Sequence, residues 1–298
     1  MIQTIRYRDP DSGAVRLGLL RGEDVLDVTA AVPEWTDPMA AWTVVRALGL
    51  TVEDAFARLR PPVARFSPAR LADAGALLPP VAAEEVWAAG VTYDRSRQAR
   101  NAETKLSDSV YDRAYDAERP ELFLKATGRR LLGSGQEIGL RSDSFWMVPE
   151  PELAVAIGAA GEIVGWTLGN DLSSRDIEGE NPLYLPQAKI FSRSCSLGPA
   201  LLWNTGRESP REWTLAMTIR RGGLIAFAGS VPLTQLRRPA EALISHLLRD
   251  NPVPAGTVLL TGTGIVPPDD FTLAAGDAVD IEIAQIGTLH NTVAPPLA

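Results

Sequence analysis

Histidine and cysteine are scarce in this sequence of 298 residues, which has two histidines and one cysteine. A single thiol, Cys195, cannot form an internal disulfide, so the sequence fits a reducing compartment and predicts that Cys195 is a small buried side chain. Basic residues are also in deficit, because 29 lysines and arginines stand against 37 acidic residues, for a formal net charge of −8. This charge gives no support to a nucleic-acid or anionic-membrane partner.

Long apolar runs are missing as well. The longest, such as LAVAI at 153–157, are far shorter than the roughly 18 residues that a membrane span needs. The first residues, MIQTIRYRDPDSG, are polar and charged and do not have the pattern of a signal peptide. We therefore expect a cytoplasmic protein.

The composition of the chain changes near residue 80. Residues 1–35 alternate as short strands and turns, helical spacing follows, and Pro-Pro pairs stand at 61–62 and 79–80. From residue 81 onward short strand patterns predominate, with one amphipathic helix at 235–250. We predict a small β-rich domain over 1–80 that ends in a Pro-rich linker, and a larger second domain over 81–298. The fold class predicted is mostly β (α+β), with a rolled mixed sheet or barrel.

Acidic residues come together at the start of one predicted strand. In WMVPEPELAVAIG at 146–158, Glu150 and Glu152 share a face because strand side chains alternate. The next strand, EIVGWTLGND, forms a hairpin with the first, centred near residue 160. That pairing places Glu150 opposite about Asn170 and brings Asp171 beside the two glutamates.

Three close carboxylates repel one another, and at an effective dielectric constant of about 20 each close pair costs on the order of 4 kcal/mol. A divalent cation would remove that cost, and ligands that are all oxygen favour Mg²⁺, with Mn²⁺ or Ca²⁺ as possible substitutes. Ala154 and Ala156 share the face of the glutamates and are expected to leave room for a ligand. The alternative is a pair of solvated acids at a strand edge, with Asp171 as a turn residue.

The segment after Asp171, LSSRDIEGENPLYLPQAK, predicts a short helix from Ser173 capped by Asp176, then a Pro-rich loop, then Lys189 at the head of a β segment. Burial and a nearby cation would push this lysine toward its neutral form. A neutral amine can accept a proton from carbon. An ordinary salt bridge between Lys189 and one of the acids is the alternative.

Taken together, seven segments resemble the fumarylacetoacetate hydrolase superfamily. In family order they are GVTYDRSRQARNAE at 90–103, PELFLKAT at 120–127, PEPELAVAIG at 149–158, GWTLGNDLSSRDIEGENPLYLPQAK at 165–189, SLGP at 196–199, LLTGTGIVPP at 259–268 and IGTLHNTV at 286–293. The resemblance implies a catalytic domain with a mixed β-sandwich roll and a small amino-terminal domain. It also implies a Mg²⁺ ion held by Glu150, Glu152 and Asp171.

One departure from the hydrolytic members of this superfamily concerns the base. Those members carry a motif like NY-x-x-H-x-x-E, in which the histidine and glutamate activate a water. The corresponding stretch here is TYDRSRQ, with Ser96 at the histidine position. His246 lies on the amphipathic helix, where a packing role at its boundary is expected. His290 follows a strand near the carboxyl terminus, and the lining of a pocket is an alternative for it. Water activation therefore lacks its usual imidazole.

The segments TYDRSRQAR and GENPLYLPQAK resemble instead the dehydratases of 2-keto-3-deoxy-D-pentonates. This branch implies Lys189 and Glu121 as the catalytic pair, with exchangeable roles in removing a C3 proton and protonating the leaving C4 hydroxyl. Conversion of 2-keto-3-deoxy-D-arabinonate or xylonate to 2-oxoglutarate semialdehyde, a step of pentose oxidation, is the implied reaction. The alternatives are an acylpyruvate or diketoacid C–C hydrolase that has replaced its histidine, and a metal-dependent binder without activity.

Four further residues are candidates for contacts with a small keto acid. Arg95 would anchor the substrate carboxylate, Thr261 and Thr263 would offer hydroxyls, and Lys125 is included because the family keeps a lysine there. The polar residues 101–119 predict either a lid over the substrate or a surface helix. The family resemblance also implies a homodimer or homotetramer.

Overall fold

The structure, a computed structural model, describes residues 1–103 and 110–297. Its strands are β1 (Gln3–Arg8), β2 (Val15–Arg21), β3 (Asp24–Asp27), β4 (Leu77–Leu78), β5 (Glu85–Gly90), β6 (Glu121–Thr127), β7 (Leu131–Leu132), β8 (Glu137–Gly139), β9 (Met147–Val148), β10 (Pro151–Ile157), β11 (Ile163–Asp171), β12 (Ser173–Ser174), β13 (Cys195–Trp203), β14 (Thr214–Arg221), β15 (Leu224–Pro232), β16 (Thr257–Leu260), β17 (Ala278–Ile283) and β18 (Gly287–Ala294).

Its α-helices occupy less of the chain than its strands do. They are α1 (Val28–Ala31), α2 (Pro38–Ala47), α3 (Val52–Arg58), α4 (Pro68–Asp73), α5 (Asp94–Glu103), α6 (Val110–Asp116), α7 (Arg175–Glu180), α8 (Leu185–Lys189) and α9 (Ala240–Leu247). Single turns of 3₁₀ helix lie at Gly128–Arg130, Pro182–Tyr184, Pro210–Glu212 and Leu233–Gln235.

The strands form two main sheets. The larger sheet has the order β3-β2-β1-β13-β11-β10-β16-β5-β6, with β4 beside β1 and β7 beside β13. The smaller has the order β15-β14-β17-β18-β8, and β12 pairs with β9 in a separate ribbon. Among the described strands neither sheet closes on itself. The predicted mostly β, α+β fold is therefore confirmed as a sandwich of open mixed sheets, and its barrel variant is not found.

The main hydrophobic core fills the space between the two sheets. Leu153 and Val155 of β10 belong to one buried cluster with Met217 of β14 and Ile281 of β17. Side chains of a strand alternate between faces, so β10 turns its odd-numbered residues toward the smaller sheet. The even-numbered residues of β10, which include Glu152, consequently share the other face.

Helices of the amino-terminal segment cover that other face. Ala154 and Ala156 are fully buried in a second core with Val45 of α2 and Phe56 of α3. The predicted room for a ligand above the two alanines is wrong, because the amino-terminal helices fill that space. The space left for a ligand lies at the amino-terminal end of β10.

The first strands of the chain extend the larger sheet. β1 pairs antiparallel with β13, with Thr4 opposite Leu201, and β2 and β3 continue the sheet outward. The amino-terminal segment is thus hydrogen-bonded to strands from the later part of the chain. The division into domains at residue 80 stays a prediction.

Two predicted helical segments have different outcomes. The amphipathic helix expected over 235–250 is confirmed as α9, but it begins only at Ala240 because Pro239 occupies the N-cap position. In the expected lid over 101–119, residues 104–109 lie outside the described residues, and α5 and α6 flank them. No helix in the described parts of the chain is long and apolar enough to cross a bilayer.

Candidate active site

The predicted hairpin brings three carboxylates together. β10 and β11 pair antiparallel with Pro151 opposite Asn170, one residue from the expected register, and the Asp171 N–H donates to the Glu150 carbonyl at 2.9 Å. One carboxylate oxygen from each of Glu150, Glu152 and Asp171 lies within 4.8 Å of the others, and all three residues are buried. We call this set the acidic triad.

Cationic side chains surround the acidic triad. Lys189 Nζ lies 2.8 Å from Glu150 Oε2 and 3.3 Å from Asp171 Oδ2. Arg175 Nη2 lies 3.0 Å from Glu150 Oε1, and Lys125 Nζ lies 2.7 Å from Asp171 Oδ1. All three cations are almost completely buried. Since buried charges need partners, these contacts pair Glu150 and Asp171 with positive charge inside the protein.

Glu152 is the member of the acidic triad that none of these ion pairs reaches. Its carboxylate accepts a hydrogen bond from the N–H of Gly262, a residue at φ +98° with no space for a Cβ beside Thr92. Burial raises the pKa of Glu152 well above its usual value, and the charges of Asp171 and Glu150 raise it further. A cation bound to the triad would favour the ionised form of Glu152.

Lys189 enters the site from a helix rather than from a strand. It is the last residue of α8, which begins at Leu185 and has Pro186 in its first turn, so its predicted place at the head of a β segment is wrong. The proline has a backbone angle suited to the first turn of a helix, and this converts the expected loop into a helical turn. Lys189 Nζ also donates to Ser173 Oγ at 2.6 Å and lies 5.5 Å from the Phe123 ring.

Helix α7, which precedes α8, starts later than the sequence predicts. Ser173 and Ser174 pair with β9 as β12, so α7 begins at Arg175 with Ser174 as its N-cap residue. Asp176 lies inside the first turn and does not cap the helix. Its carboxylate instead accepts hydrogen bonds from Ser144 Oγ at 2.6 Å and from the N–H of Phe145 at 3.0 Å.

A narrow cleft opens onto the acidic triad, Arg175 and Lys189. Its further lining includes Gly90, Ser96, Glu121, Phe123, Glu178 and Thr263. Among the described side chains, the carboxylates of the acidic triad converge at this cleft, and Lys125 lies behind Asp171. A set of carboxylate oxygens suits a divalent cation, so the donor set fits a hard metal ion.

Sequence reasoning missed Arg175 and Glu178, both buried at this cleft. The two residues stand three positions apart in α7, which places them on one side of the helix. This spacing in SSRDIE was the signal available in the sequence. The spacing indicates two site residues only when the position of α7 beside Glu150 is known, where Arg175 contacts the Glu150 carboxylate.

The four predicted substrate contacts have different positions. Thr263 lines the cleft, whereas the Thr261 hydroxyl donates to the Leu153 carbonyl at 2.9 Å and is fully buried. Arg95 is exposed on α5, outside the cleft lining. Lys125 Nζ donates to the Lys189 carbonyl at 2.5 Å, behind the cleft. The substrate contacts of these residues stay predictions.

Most of the chain matches a known protein family. Residues 85–294 match the family model of the fumarylacetoacetate (FAA) hydrolase C-terminal domain. The chain belongs to this family. The superfamily resemblance seen in the sequence is therefore confirmed, and the matched range contains every residue named in the acidic triad and its cationic partners.

Two curated relatives and one solved structure with dehydratase names are similar to this chain over most of its length. The chain is 51% identical over 214 residues, 72% of this chain and 73% of the relative, to a probable 2-keto-3-deoxyxylonate dehydratase of Haloferax volcanii. It is 45% identical over 217 residues, again 72% and 73%, to a 2-dehydro-3-deoxy-D-arabinonate dehydratase of Saccharolobus solfataricus. A solved 2-keto-3-deoxy-D-arabinonate dehydratase complexed with magnesium and 2,5-dioxopentanoate superposes with a TM-score of 0.84 at 33% identity, over 99% of this chain and 100% of that chain.

In this FAA hydrolase family member the residue at the hydrolase histidine position cannot act as an imidazole base. Ser96 lines the cleft, and its hydroxyl donates to the Tyr93 carbonyl at 2.8 Å. Both histidines lie outside the cleft lining. His246 Nδ1 is 2.9 Å from the Ala242 carbonyl on α9, and His290 Nδ1 is 2.6 Å from Asp280, whose hydrogen bond raises the pKa of the imidazole.

Proposed function

We propose that this protein is a Mg²⁺-dependent dehydratase of 2-keto-3-deoxy-D-pentonates. The observation that carries the proposal is a single cleft in which Lys189 and Glu121 accompany the acidic triad while Ser96 replaces the hydrolase histidine. The names of the two relatives and of the solved structure support the same substrate class. The ligand in that solved structure is 2,5-dioxopentanoate. This is the systematic name of 2-oxoglutarate semialdehyde, the product expected here.

Glu150, Glu152 and Asp171 would hold Mg²⁺ through their carboxylate oxygens. When bound, the ion would supply Lewis acidity to the carboxylate and 2-keto oxygens of the substrate, which favours loss of a C3 proton. The convergence of three buried carboxylates within 4.8 Å and the raised pKa of Glu152, which reflects their mutual repulsion and burial, support this assignment.

Lys189 would remove the C3 proton. The two carboxylates that pair with Nζ, Glu150 and Asp171, are also two of the proposed metal ligands. A cation bound to these two carboxylates would compete with Nζ for their oxygens and so weaken the ion pairs that hold the amine. Ser173 Oγ, 2.6 Å away, would hold the amine in place and fix the direction of its lone pair.

Glu121 would give a proton to the leaving C4 hydroxyl, so that water departs rather than hydroxide. It is the cleft carboxyl that is partly exposed, while the triad and Glu178 are buried. Tautomerisation with loss of a C5 proton then gives 2-oxoglutarate semialdehyde. Removal of the C3 proton and protonation of the C4 hydroxyl are exchangeable between Glu121 and Lys189.

The test is to compare two substrates by NMR with the purified protein and Mg²⁺. A 2-keto-3-deoxy-D-pentonate should yield 2-oxoglutarate semialdehyde, and an acylpyruvate should remain intact. Cleavage of the acylpyruvate without conversion of the pentonate would replace the proposal with a C–C hydrolase. Tight binding of the keto acid without turnover would indicate a metal-dependent binder.

We also propose that the protein is a cytoplasmic homodimer or homotetramer. Two large apolar side chains on the edge strand β15, Leu224 and Ile225, are 77% and 60% exposed. An exposed apolar sheet edge is typical of a surface that another chain covers. Light scattering after size exclusion would test this, and a monomeric mass for the wild-type protein would contradict it.

A further inference from the structure

The carboxylate of Glu121 lies across the end of strand β5. In the antiparallel pairing of β5 with β6, Gly90 stands directly opposite Glu121. A Cβ placed on residue 90 would lie 2.5 Å from Glu121 Cδ and closer still to Oε2, and all three of its nearest atoms belong to Glu121. Only glycine at this position leaves the Glu121 side chain in its present place.

The residue after Gly90 has an unusual backbone conformation. Val91 has φ +52°, a left-handed conformation that a β-branched residue adopts only when its surroundings impose it. Val91 lines the same cleft as Gly90 and Glu121. Backbone strain of this kind concentrates at functional sites, where it fixes the position of a neighbouring group.

Hydrogen bonds on both sides of Thr92 hold this turn in place. The Thr92 hydroxyl donates to the Thr261 carbonyl at 2.8 Å, and the Thr92 carbonyl accepts from the N–H of Arg237 at 3.0 Å. Gly262, which follows Thr261, donates its N–H to Glu152. The end of β5 is thus tied to the turn that holds one member of the acidic triad.

We propose that Gly90 is the positioning residue for Glu121, and this inference rests on the proposed dehydratase function. The missing Cβ allows the Glu121 carboxyl to lie over the end of β5 and face the cleft. The Val91 turn and its ties to Thr261 and Gly262 fix that end relative to Glu152. The proton donor and the metal ligand are thereby held at a set distance from one another.

Gly90→Ala tests the proposal by kinetics. Displacement of Glu121 by about 1 Å should lower kcat about 100-fold, with KM and the calorimetric affinity for Mg²⁺ within about threefold of the wild-type values. In a Glu121→Gln background the same change should have little further effect on kcat, since the acid is already lost. An unchanged kcat for Gly90→Ala, or equal losses in both backgrounds, would overturn the proposal.

Gly158→Ala is the matched control. A Cβ at residue 158 would lie 2.5 Å from the carboxylate oxygen of Glu162, so the same kind of side-chain displacement is imposed at the far end of β10, roughly 20 Å from the acidic triad. Its kcat should equal that of the wild type. A loss as large as that of Gly90→Ala would show that the effect is a general one on the sheet and would contradict the proposal.

Two activity-independent measurements separate this inference from the proposed function. A crystal structure of Gly90→Ala should show the Glu121 carboxylate moved while the backbone of β5 is unchanged; an unmoved carboxylate overturns the inference even if the enzyme is a dehydratase. If Gly90→Ala does not fold, Gly90→Ala/Glu121→Ala should restore folding, because the overlapping atoms are gone. Failure to restore it would also count against the inference. A wild-type protein that does not dehydrate the pentonate would refute the proposed function. The crystal structure of Gly90→Ala would then decide by itself whether Gly90 positions Glu121.

Discussion

Glu150 and Lys189 each take part in two interactions that a bound cation would rearrange. Glu150 faces Arg175 on one oxygen and Lys189 on the other. Removing its charge leaves both buried cations short of a partner, and breaking a buried pair in this way destabilises a protein by roughly 3 kcal/mol or more. Metal affinity and stability must therefore be measured together on a Glu150 variant, because loss of stability alone does not distinguish a metal ligand from a purely structural acid.

Glu150→Gln should abolish tight Mg²⁺ binding and dehydratase activity together, because an amide is a poor ligand for a hard cation. Isothermal titration with Mg²⁺ alone and the NMR assay measure the two losses. Glu162→Gln, on the outer turn of the same hairpin, is the control and should keep both. Retained activity in Glu150→Gln would exclude the acidic triad as the metal site.

Lys189→Met should bind Mg²⁺ normally and lower kcat by about 10³-fold or more, as expected for loss of a catalytic base. Lys189→Arg distinguishes a base from a salt bridge, since arginine keeps the positive charge near Glu150 and Asp171 but does not give up its proton. Both variants should be inactive. An active Lys189→Arg would support the simple salt bridge and reject the base.

At the scale of elements, the site depends on where strands and short helices end. The hairpin of β10 and β11 was predictable to within one residue, because alternation and turn signals are local in the sequence. The helix that carries Lys189 was not, since α8 has five residues and depends on tertiary contacts such as the Lys125 hydrogen bond to its last carbonyl. Burial of Ala154 depends on amino-terminal helices distant in sequence, which a local pattern cannot reveal.

Lys125 joins three of these elements. From β6 its Nζ reaches Asp171 on β11, the Leu172 carbonyl and the last carbonyl of α8. Lys125→Met should therefore lower Mg²⁺ affinity about 10- to 100-fold, as expected when a residue that orients a metal ligand is lost. Titration calorimetry measures this change. A raised KM with unchanged Mg²⁺ affinity would instead favour direct substrate contact, the role expected from the sequence.

At the scale of the whole molecule, the buried charges link stability to pH and to metal. The pKa of Glu152 is raised well above its usual value, chiefly by burial, so the folded protein favours its protonated form. Stability from this group is present below the unfolded pKa and is lost as pH rises through the raised folded pKa. A Mg²⁺ ion held by Glu152 would bind its ionised form and should offset the loss.

The rise in Tm on adding Mg²⁺ should therefore increase with pH between about pH 5 and 8. Differential scanning fluorimetry with Mg²⁺ and with EDTA measures it across that range. Glu152→Gln removes the titrating group and should make the metal-free Tm less dependent on pH. A Mg²⁺ effect that is constant with pH, or larger at low pH, would contradict this link.

The most direct test of the account follows one reaction by NMR: wild-type protein with a 2-keto-3-deoxy-D-pentonate, first with Mg²⁺, then with EDTA, then with Mg²⁺ restored. We expect 2-oxoglutarate semialdehyde to form with Mg²⁺ and again when Mg²⁺ is restored, and none to form with EDTA. Product formation that continues in EDTA, or no product in any condition, would contradict the claim that the acidic triad holds the ion on which the dehydration depends.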